Sequence, residues 1–169
     1  LARDIYIDIL PEVYIRDLVV KTVGISGDKV KAKISFKTVN FKKGQKAEIY
    51  LAKSPLGEEK VVFEGDAAES FEAETEFGAD LWTCENPALY TVRAELIENG
   101  NTVDDEICET GFRIIEQKNG DILLNGKKIL LNGALWMQFL PPYENIVLSH
   151  ICPTTKEIVW QAAMTKALN

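Results

Sequence analysis

Asp28-Lys29-Val30-Lys31-Ala32-Lys33-Ile34-Ser35-Phe36-Lys37 decides the fold class of this chain. Val30, Ala32, Ile34 and Phe36 fall on one side, and Lys29, Lys31, Lys33, Ser35 and Lys37 on the other. A period of two is the repeat of a β-strand, whose successive side chains point to opposite faces. A strand divided this way has one face in a core and the other in water. Gly24 and Gly27 bracket the turn before it, and Gly44 sits in the turn after it.

The same alternation continues outward. Ala47, Ile49 and Leu51 alternate with Lys46, Glu48 and Tyr50. Ser54-Pro55-Leu56-Gly57 is a turn signal, and Val61 and Phe63 mark a short strand ending at Gly65-Asp66. Phe71, Ala73, Thr75 and Phe77 alternate with Glu72, Glu74 and Glu76, which reads as a solvated acidic strand face. Tyr90, Val92, Ala94 and Leu96 alternate with Thr91, Arg93 and Glu95. Glu98-Asn99-Gly100-Asn101 is a hairpin turn, since Asn-Gly tolerates positive φ, and the strand after it is expected over 102–116. An opening strand over 12–23 brings the number to seven. Short strands at roughly 8–12-residue spacing are the signature of an antiparallel β-sandwich. No repeat of roughly 20 to 50 residues is visible, so a solenoid is not indicated.

Composition narrows the rest. The chain has 169 residues, 46% apolar and 27% charged, enough for one domain with a real core plus a short second element. The net charge of −7 repels phosphate backbones, so nucleic acid is a poor partner. No apolar run approaches the roughly 18 to 20 residues that span a bilayer, so no membrane segment is expected. Leu1-Ala2-Arg3-Asp4 reads like mid-protein sequence, with no initiator Met and no signal peptide. The three cysteines, Cys84, Cys108 and Cys152, form no CxxC pair, so a zinc site is not expected. Buried thiols and a Cys84–Cys108 bridge between neighbouring strands both fit the spacing.

The character changes after residue 116. Asn119-Gly120-Asp121 and Asn125-Gly126-Lys127 are turn signals flanking Ile122-Leu123-Leu124. Ile129-Leu130-Leu131 is a continuous apolar run, as in a strand buried on both faces. Pro141-Pro142 breaks the chain. Pro153-Thr154-Thr155 then starts a helix with Thr154 or Thr155 as N-cap, Glu157 near its first turn, and Ile158, Val159, Ala162, Ala163 and Lys166 at helical spacing. The fold expected is mostly β: an immunoglobulin-like antiparallel β-sandwich of about seven strands, followed by a β-hairpin and one C-terminal α-helix.

Three stretches in order carry a resemblance: Leu-Trp-Thr-Cys-Glu-Asn-Pro-Ala-Leu-Tyr-Thr-Val at 81–92, Gly-Phe-Arg-Ile-Ile-Glu at 111–116, and Asn-Gly-Lys-Lys-Ile-Leu-Leu-Asn-Gly at 125–133. Together they resemble glycoside hydrolase family 2, the β-galactosidases, β-glucuronidases and β-mannosidases. Residues 3–7 are similar to the last strand of that family's sugar-binding jelly roll, 13–18 to the start of its sandwich, and 153–169 to its first barrel helix. The resemblance implies the end of a jelly roll over 1–11, the sandwich over 12–117, and the truncated start of a (β/α)₈ barrel over 118–169. It also implies neighbouring jelly-roll and barrel domains as partners, and no cofactor or metal. Tyr90 stands where an immunoglobulin-like domain carries a tyrosine corner, whose hydroxyl bonds to upstream backbone. Trp82 and Tyr90 are expected to be structural rather than ligand-stacking, and Arg113 to brace a neighbouring domain.

Glycoside cleavage needs two carboxylates facing one sugar, about 5–5.5 Å apart for retention or roughly 6.5–9.5 Å for inversion. In the resembled family both come from late barrel strands, and a barrel takes about 250 residues. No catalytic residue is therefore assigned within 1–169. Glu58-Glu59 and Asp104-Asp105-Glu106 read as solvated charge in or beside turns, and His150, the only histidine, has no evident partner. Where many members carry an Asn-Arg-His-Glu-like run, this chain has Ala134-Leu135-Trp136-Met137-Gln138-Phe139, which leaves the substrate open among the family's sugars. Trp136 fits sugar stacking in an intact enzyme and barrel-core packing equally. Two functions fit: a non-catalytic structural domain of a β-galactosidase-like exo-glycosidase, or a free-standing carbohydrate-binding or adhesion sandwich. Inward-facing aromatics argue against the second. Ile129, Leu130, Leu131, Leu135, Trp136 and Phe139 are expected to expose apolar surface, so that this tail is disordered, packs across the sandwich or mediates dimerisation.

Overall fold

A computed structural model of the chain describes residue 7 and residues 9–131 and 155–167. The chain divides into two compact units, Ile9–Leu130 and Leu1–Asp8 with Leu131–Asn169. The first unit holds ten strands: β1 (Tyr14–Ser26), β2 (Lys29–Val39), β3 (Lys46–Lys53), β4 (Lys60–Asp66), β5 (Ser70–Gly78), β6 (Tyr90–Glu98), β7 (Asn101–Thr110), β8 (Ile115–Lys118), β9 (Asp121–Leu124) and β10 (Lys127–Ile129). The second holds one helix among the described residues, α1 (Thr155–Ala167). α1 begins at Thr155, where the helix was expected, and carries Lys166 in its last turn, where a cation offsets the exposed carbonyls. The alternative cap, Thr154, lies outside the described residues.

Strands β1 to β7 form the expected immunoglobulin-like sandwich. One sheet has the order β1-β2-β5 and the other β4-β3-β6-β7, all pairs antiparallel. The alternation read from the sequence selects the core. Val30, Ala32, Ile34 and Phe36 are 0–2% exposed, and Ala47, Ile49, Val92, Ala94 and Leu96 meet them from the second sheet. Phe36 stacks on Phe71 at 4.5 Å, with Phe63 edge-on to Phe71 at 5.4 Å. The outward residues of β2 and β5 pair as Lys29–Glu76, Lys31–Glu74 and Lys33–Glu72, in line with the strand register. The acidic face is solvated, as expected, and each of these acids also faces a lysine.

Side chains tie the two sheets at their open edges. The Ile15 N–H of β1 donates to Asp104 Oδ2 of β7 at 2.7 Å. On the opposite side Thr75 Oγ1 of β5 donates to the Val62 carbonyl of β4 at 2.6 Å. These bonds occupy edge groups that would otherwise template pairing with another chain. Asp104, Asp105 and Glu106 lie on strand β7, beside the turn and within the strand expected from 102, and Asp104 faces the inner side opposite Leu96.

The strand expected over 102–116 is two strands. β7 ends at Thr110, residues 111–114 are irregular, and Ile115 starts a separate three-stranded meander of order β10-β9-β8. Phe112 explains the break. It is fully buried, between Phe77 at 5.1 Å and Tyr90 at 5.3 Å, so the chain turns inward before it can pair again. The hairpin expected around Asn125-Gly126 is present as β9–β10. Ile129-Leu130-Leu131 is not a strand buried on both faces. β10 stops at Ile129, on the edge of a small sheet, leaving Leu130 81% and Leu131 68% exposed.

Candidate functional site

The described residues of the three stretches that carry the family resemblance meet at Trp82, Phe112, Ile114 and Asn125. Tyr90 opens β6, and its ring is held against Phe112. Its hydroxyl accepts the Asp80 N–H at 2.8 Å, ten residues upstream, which is the expected tyrosine corner. The Trp82 N–H donates to the Phe112 carbonyl at 2.9 Å. A Cβ at Gly111 would stand 2.6 Å from Trp82 Cδ1, so only glycine lets the indole lie on the backbone here. Arg113 covers the indole with its guanidinium 5.0 Å from the ring centroid and donates to the Gly111 carbonyl at 3.2 Å. This cation–π stack is where the described residues place Arg113; no acid pairs with it among them.

Asn125 completes the knot. Its Oδ1 accepts the Ile114 N–H at 2.9 Å, its Nδ2 donates to the Trp82 carbonyl at 3.0 Å, and its own N–H donates to the Ile114 carbonyl at 2.8 Å. Oxygen faces a donor and nitrogen faces an acceptor, so the amide orientation is self-consistent. The sequence marks Asn125 only as a turn residue. Its partners 11 and 43 positions away carry no local signal.

Carboxylates concentrate on the outer face of the four-stranded sheet. Glu64 pairs with Glu48, Glu48 with Glu95 and Glu95 with Asp105, one row across β4, β3, β6 and β7. Like charges directly opposite repel. Arg93 and Tyr50 offset this. Arg93 forms a bidentate pair with Glu59, at 3.0 Å and 2.6 Å, and also pairs with Glu95. Its guanidinium lies 4.2 Å over the Tyr50 ring, and Tyr50 donates its hydroxyl to Glu48. The hydrogen bond from Arg93 holds the Glu59 carboxyl below its ordinary range, against partial burial. The Glu48 bond, with burial and the nearby Glu95 charge, pushes the Tyr50 phenol up to about 12. A glycosidase's acid needs its carboxyl shifted upward in a cleft. Glu59 is shifted the other way, on an open face.

A cleft of about 390 Å³ lies between β1 and residues 110–115, lined by Val20, Lys21, Thr22, Thr110, Arg113 and Ile115 among others. It presents two cations and two hydroxyls but no carboxylate, so it supplies no acid–base pair for sugar cleavage. Among the described residues no group of three or more His, Cys, Asp and Glu is arranged to hold a metal ion. The cysteine expectations need correction. Cys84 is exposed, in the loop just before β6, Cys108 is half-buried on edge strand β7, and both are free thiols. Burial, with the Glu106 charge, raises the Cys108 thiol. Cys152, His150, Trp136, Leu135 and Phe139 lie outside the described residues.

Comparison with known proteins matches this geometry. The family model described as Glycosyl hydrolases family 2 matches residues 13–113. A β-galactosidase of Streptococcus thermophilus is 28% identical over 175 aligned positions, covering 99% of this chain and 16% of that protein. A β-galactosidase of Alteromonas mediterranea is 47% identical over 54 residues, 31% of this chain and 5% of that protein. This chain therefore spans one-sixth or less of the length of these relatives. Among solved structures, a glycosyl hydrolase family 2 member from Bacteroides cellulosilyticus superposes with a TM-score of 0.60 at 24% identity, over 73% of this chain and 19% of that one. The Bifidobacterium dentium β-glucuronidase complexed with coumarin-3-O-glucuronide gives 0.59 at 23% identity, over 70% and 21%. At such identities the likeness is one of fold.

Proposed function

This chain belongs to glycoside hydrolase family 2, and we propose that it serves as a non-catalytic structural segment of a multidomain exo-glycosidase of the β-galactosidase type. In this proposal residues 1–11 close a jelly roll, 12–117 form the spacing sandwich, and 118–169 begin the catalytic barrel. The observation that carries it is the β-galactosidase alignment running along 99% of this chain while occupying 16% of the relative. The residues of the resemblance support it chemically. Trp82, Tyr90, Gly111, Arg113 and Asn125 are engaged with one another and with backbone, which leaves them building a joint rather than gripping a sugar.

Incubation of the chain with aryl β-galactosides and aryl β-glucuronides tests the proposal. No turnover is expected. Turnover that survives repurification would overturn it. Titration with oligosaccharides, read by tryptophan fluorescence, is expected to show no saturable change; saturation in the micromolar range would favour a carbohydrate-binding module instead. The apolar surface at Leu130, Leu131, Val159 and Trp160 supports self-association in the absence of the neighbouring domains. Sedimentation is expected to show a concentration-dependent dimer, and a strict monomer would count against that part.

A further inference from the structure

The chain carries the dipeptide Asn-Gly at 99–100, 119–120, 125–126 and 132–133; the first three are hairpin turns, and the fourth lies outside the described residues. The three turns share one backbone conformation. The φ pairs are 52° and 79°, 53° and 84°, and 51° and 77°, the left-handed values of the two-residue turn that twists with its strands. They differ in what the asparagine side chain does. Asn99 and Asn119 are exposed, and neither side-chain amide has a partner among the described residues. Asn125 is half-buried, with Oδ1 on the Ile114 N–H and Nδ2 on the Trp82 carbonyl.

We infer that Asn99-Gly100 and Asn119-Gly120 are sites of spontaneous deamidation, and that Asn125-Gly126 is protected by the hydrogen bonds of its side chain. The chemistry needs only water. The glycine backbone nitrogen, losing its proton, attacks the asparagine Cγ. A new C–N bond closes a five-membered succinimide, and the Cγ–Nδ2 bond breaks to release ammonia. Water then opens either ring carbonyl, leaving aspartate or isoaspartate. Glycine permits the attack because it has no side chain to crowd the incoming Cγ.

In a two-residue turn the attack requires the turn to open locally, so the rate follows the cost of that opening. The shared backbone makes this cost similar at all three sites, apart from the side chain. At Asn125 the amide must also leave the Ile114 N–H and the Trp82 carbonyl. Two hydrogen bonds of ordinary net strength lower the open population about tenfold or more. Each conversion adds a carboxylate, so loss of both exposed amides takes the net charge from −7 to −9. Isoaspartate also lengthens the backbone by one methylene inside a turn that sets strand register.

Incubation of the whole chain at physiological temperature and mildly alkaline pH, followed by peptide mapping by mass spectrometry, tests the inference. Isoaspartate is confirmed by enzymatic methylation of its carboxylate. Asn99 and Asn119 are expected to convert at least tenfold faster than Asn125. In guanidinium chloride, which removes the fold, the three rates are expected to converge. Conversion of Asn125 as fast as the other two in the folded chain would overturn the inference. So would stable Asn99 and Asn119, or an Asn125 that stays slow after unfolding.

Discussion

The sandwich and the meander are both antiparallel β-structure, and they are held by different means. Strands β1 to β7 share one core of Val, Ile, Leu, Ala and Phe side chains from two sheets. Among the described residues, β8, β9 and β10 pack on one another and on no other strand, and Leu124 is the one buried hydrophobic residue they contribute. A piece this small does not hold its shape in water by itself. It is positioned through covalent continuity at 111–114 and through Asn125. The contrast teaches that an apolar repeat builds the sandwich, whereas backbone and amide hydrogen bonds at a single joint set the meander.

The largest expected effect tests whether the joint depends on the core. Phe112→Ala empties a fully buried site between Phe77 and Tyr90 and should cost about 3–5 kcal/mol in urea unfolding, with both regions lost in one transition. A cost below about 1 kcal/mol, or separate transitions, would break the link between the two regions. Gly111→Ala comes next. Its Cβ meets the Trp82 ring at 2.6 Å, and relief by moving the indole should cost about 1–3 kcal/mol. Tyr90→Phe keeps the packing against Phe112 but orphans the Asp80 N–H, for about 1–2 kcal/mol.

How much of this was legible in the sequence follows the same division. Wherever period-two alternation ran unbroken, as at 28–37 and 90–96, strand and inward face were both legible, because burial on one side leaves a local record. Tyr90 was legible as a corner because its place relative to Val92 is a local spacing. The end of β7 was not, because the apolar character continues through Phe112 and Ile114 while the backbone leaves the ladder. The break is set by the pocket that Phe112 fills, which is tertiary. The Glu64–Glu48–Glu95–Asp105 row and the Arg93 pair with Glu59 were equally hidden. Each acid lies at an ordinary outward position, and only the register of four strands brings them into line.

Asn125→Ala sharpens the comparison most directly. It removes both side-chain hydrogen bonds that fix the meander while leaving the sandwich core untouched. Amide exchange at Ile114 and along β8 to β10 should accelerate by about ten- to a hundredfold, corresponding to about 1–3 kcal/mol of local stability. The urea midpoint of the sandwich should barely move. Asn125→Asp should loosen the meander as well, since it replaces the donor to Trp82 by a carboxylate oxygen facing a carbonyl. Equal acceleration in β2 and β6 would mean that the two regions open as one.

The smallest effect separates the regions by pH. All described groups with a resolved shift lie in the sandwich, from Lys31 to Cys108. Tyr50 is raised from 10.0 to about 12 by its bond to Glu48. A raised pKa means that the folded state keeps a proton which the unfolded state releases. The Tyr50 contribution is therefore complete below pH 10 and is lost as pH climbs to about 12. Glu59, lowered by Arg93, runs in the opposite sense: its contribution is present above the ordinary carboxylate pKa and is lost on acidification through the depressed value. Tyr50→Phe should flatten the alkaline fall in melting temperature, with the Lys31 and Lys53 contributions of the same sign remaining. Arg93→Met should flatten the acid fall. The added effect of Asn125→Ala should be the same at both ends of the range, because no shifted group among the described residues touches the meander. If that effect grew with pH, the meander would be coupled to the charged face of the sandwich, and among the described residues the joint at Asn125 would not act alone in holding it.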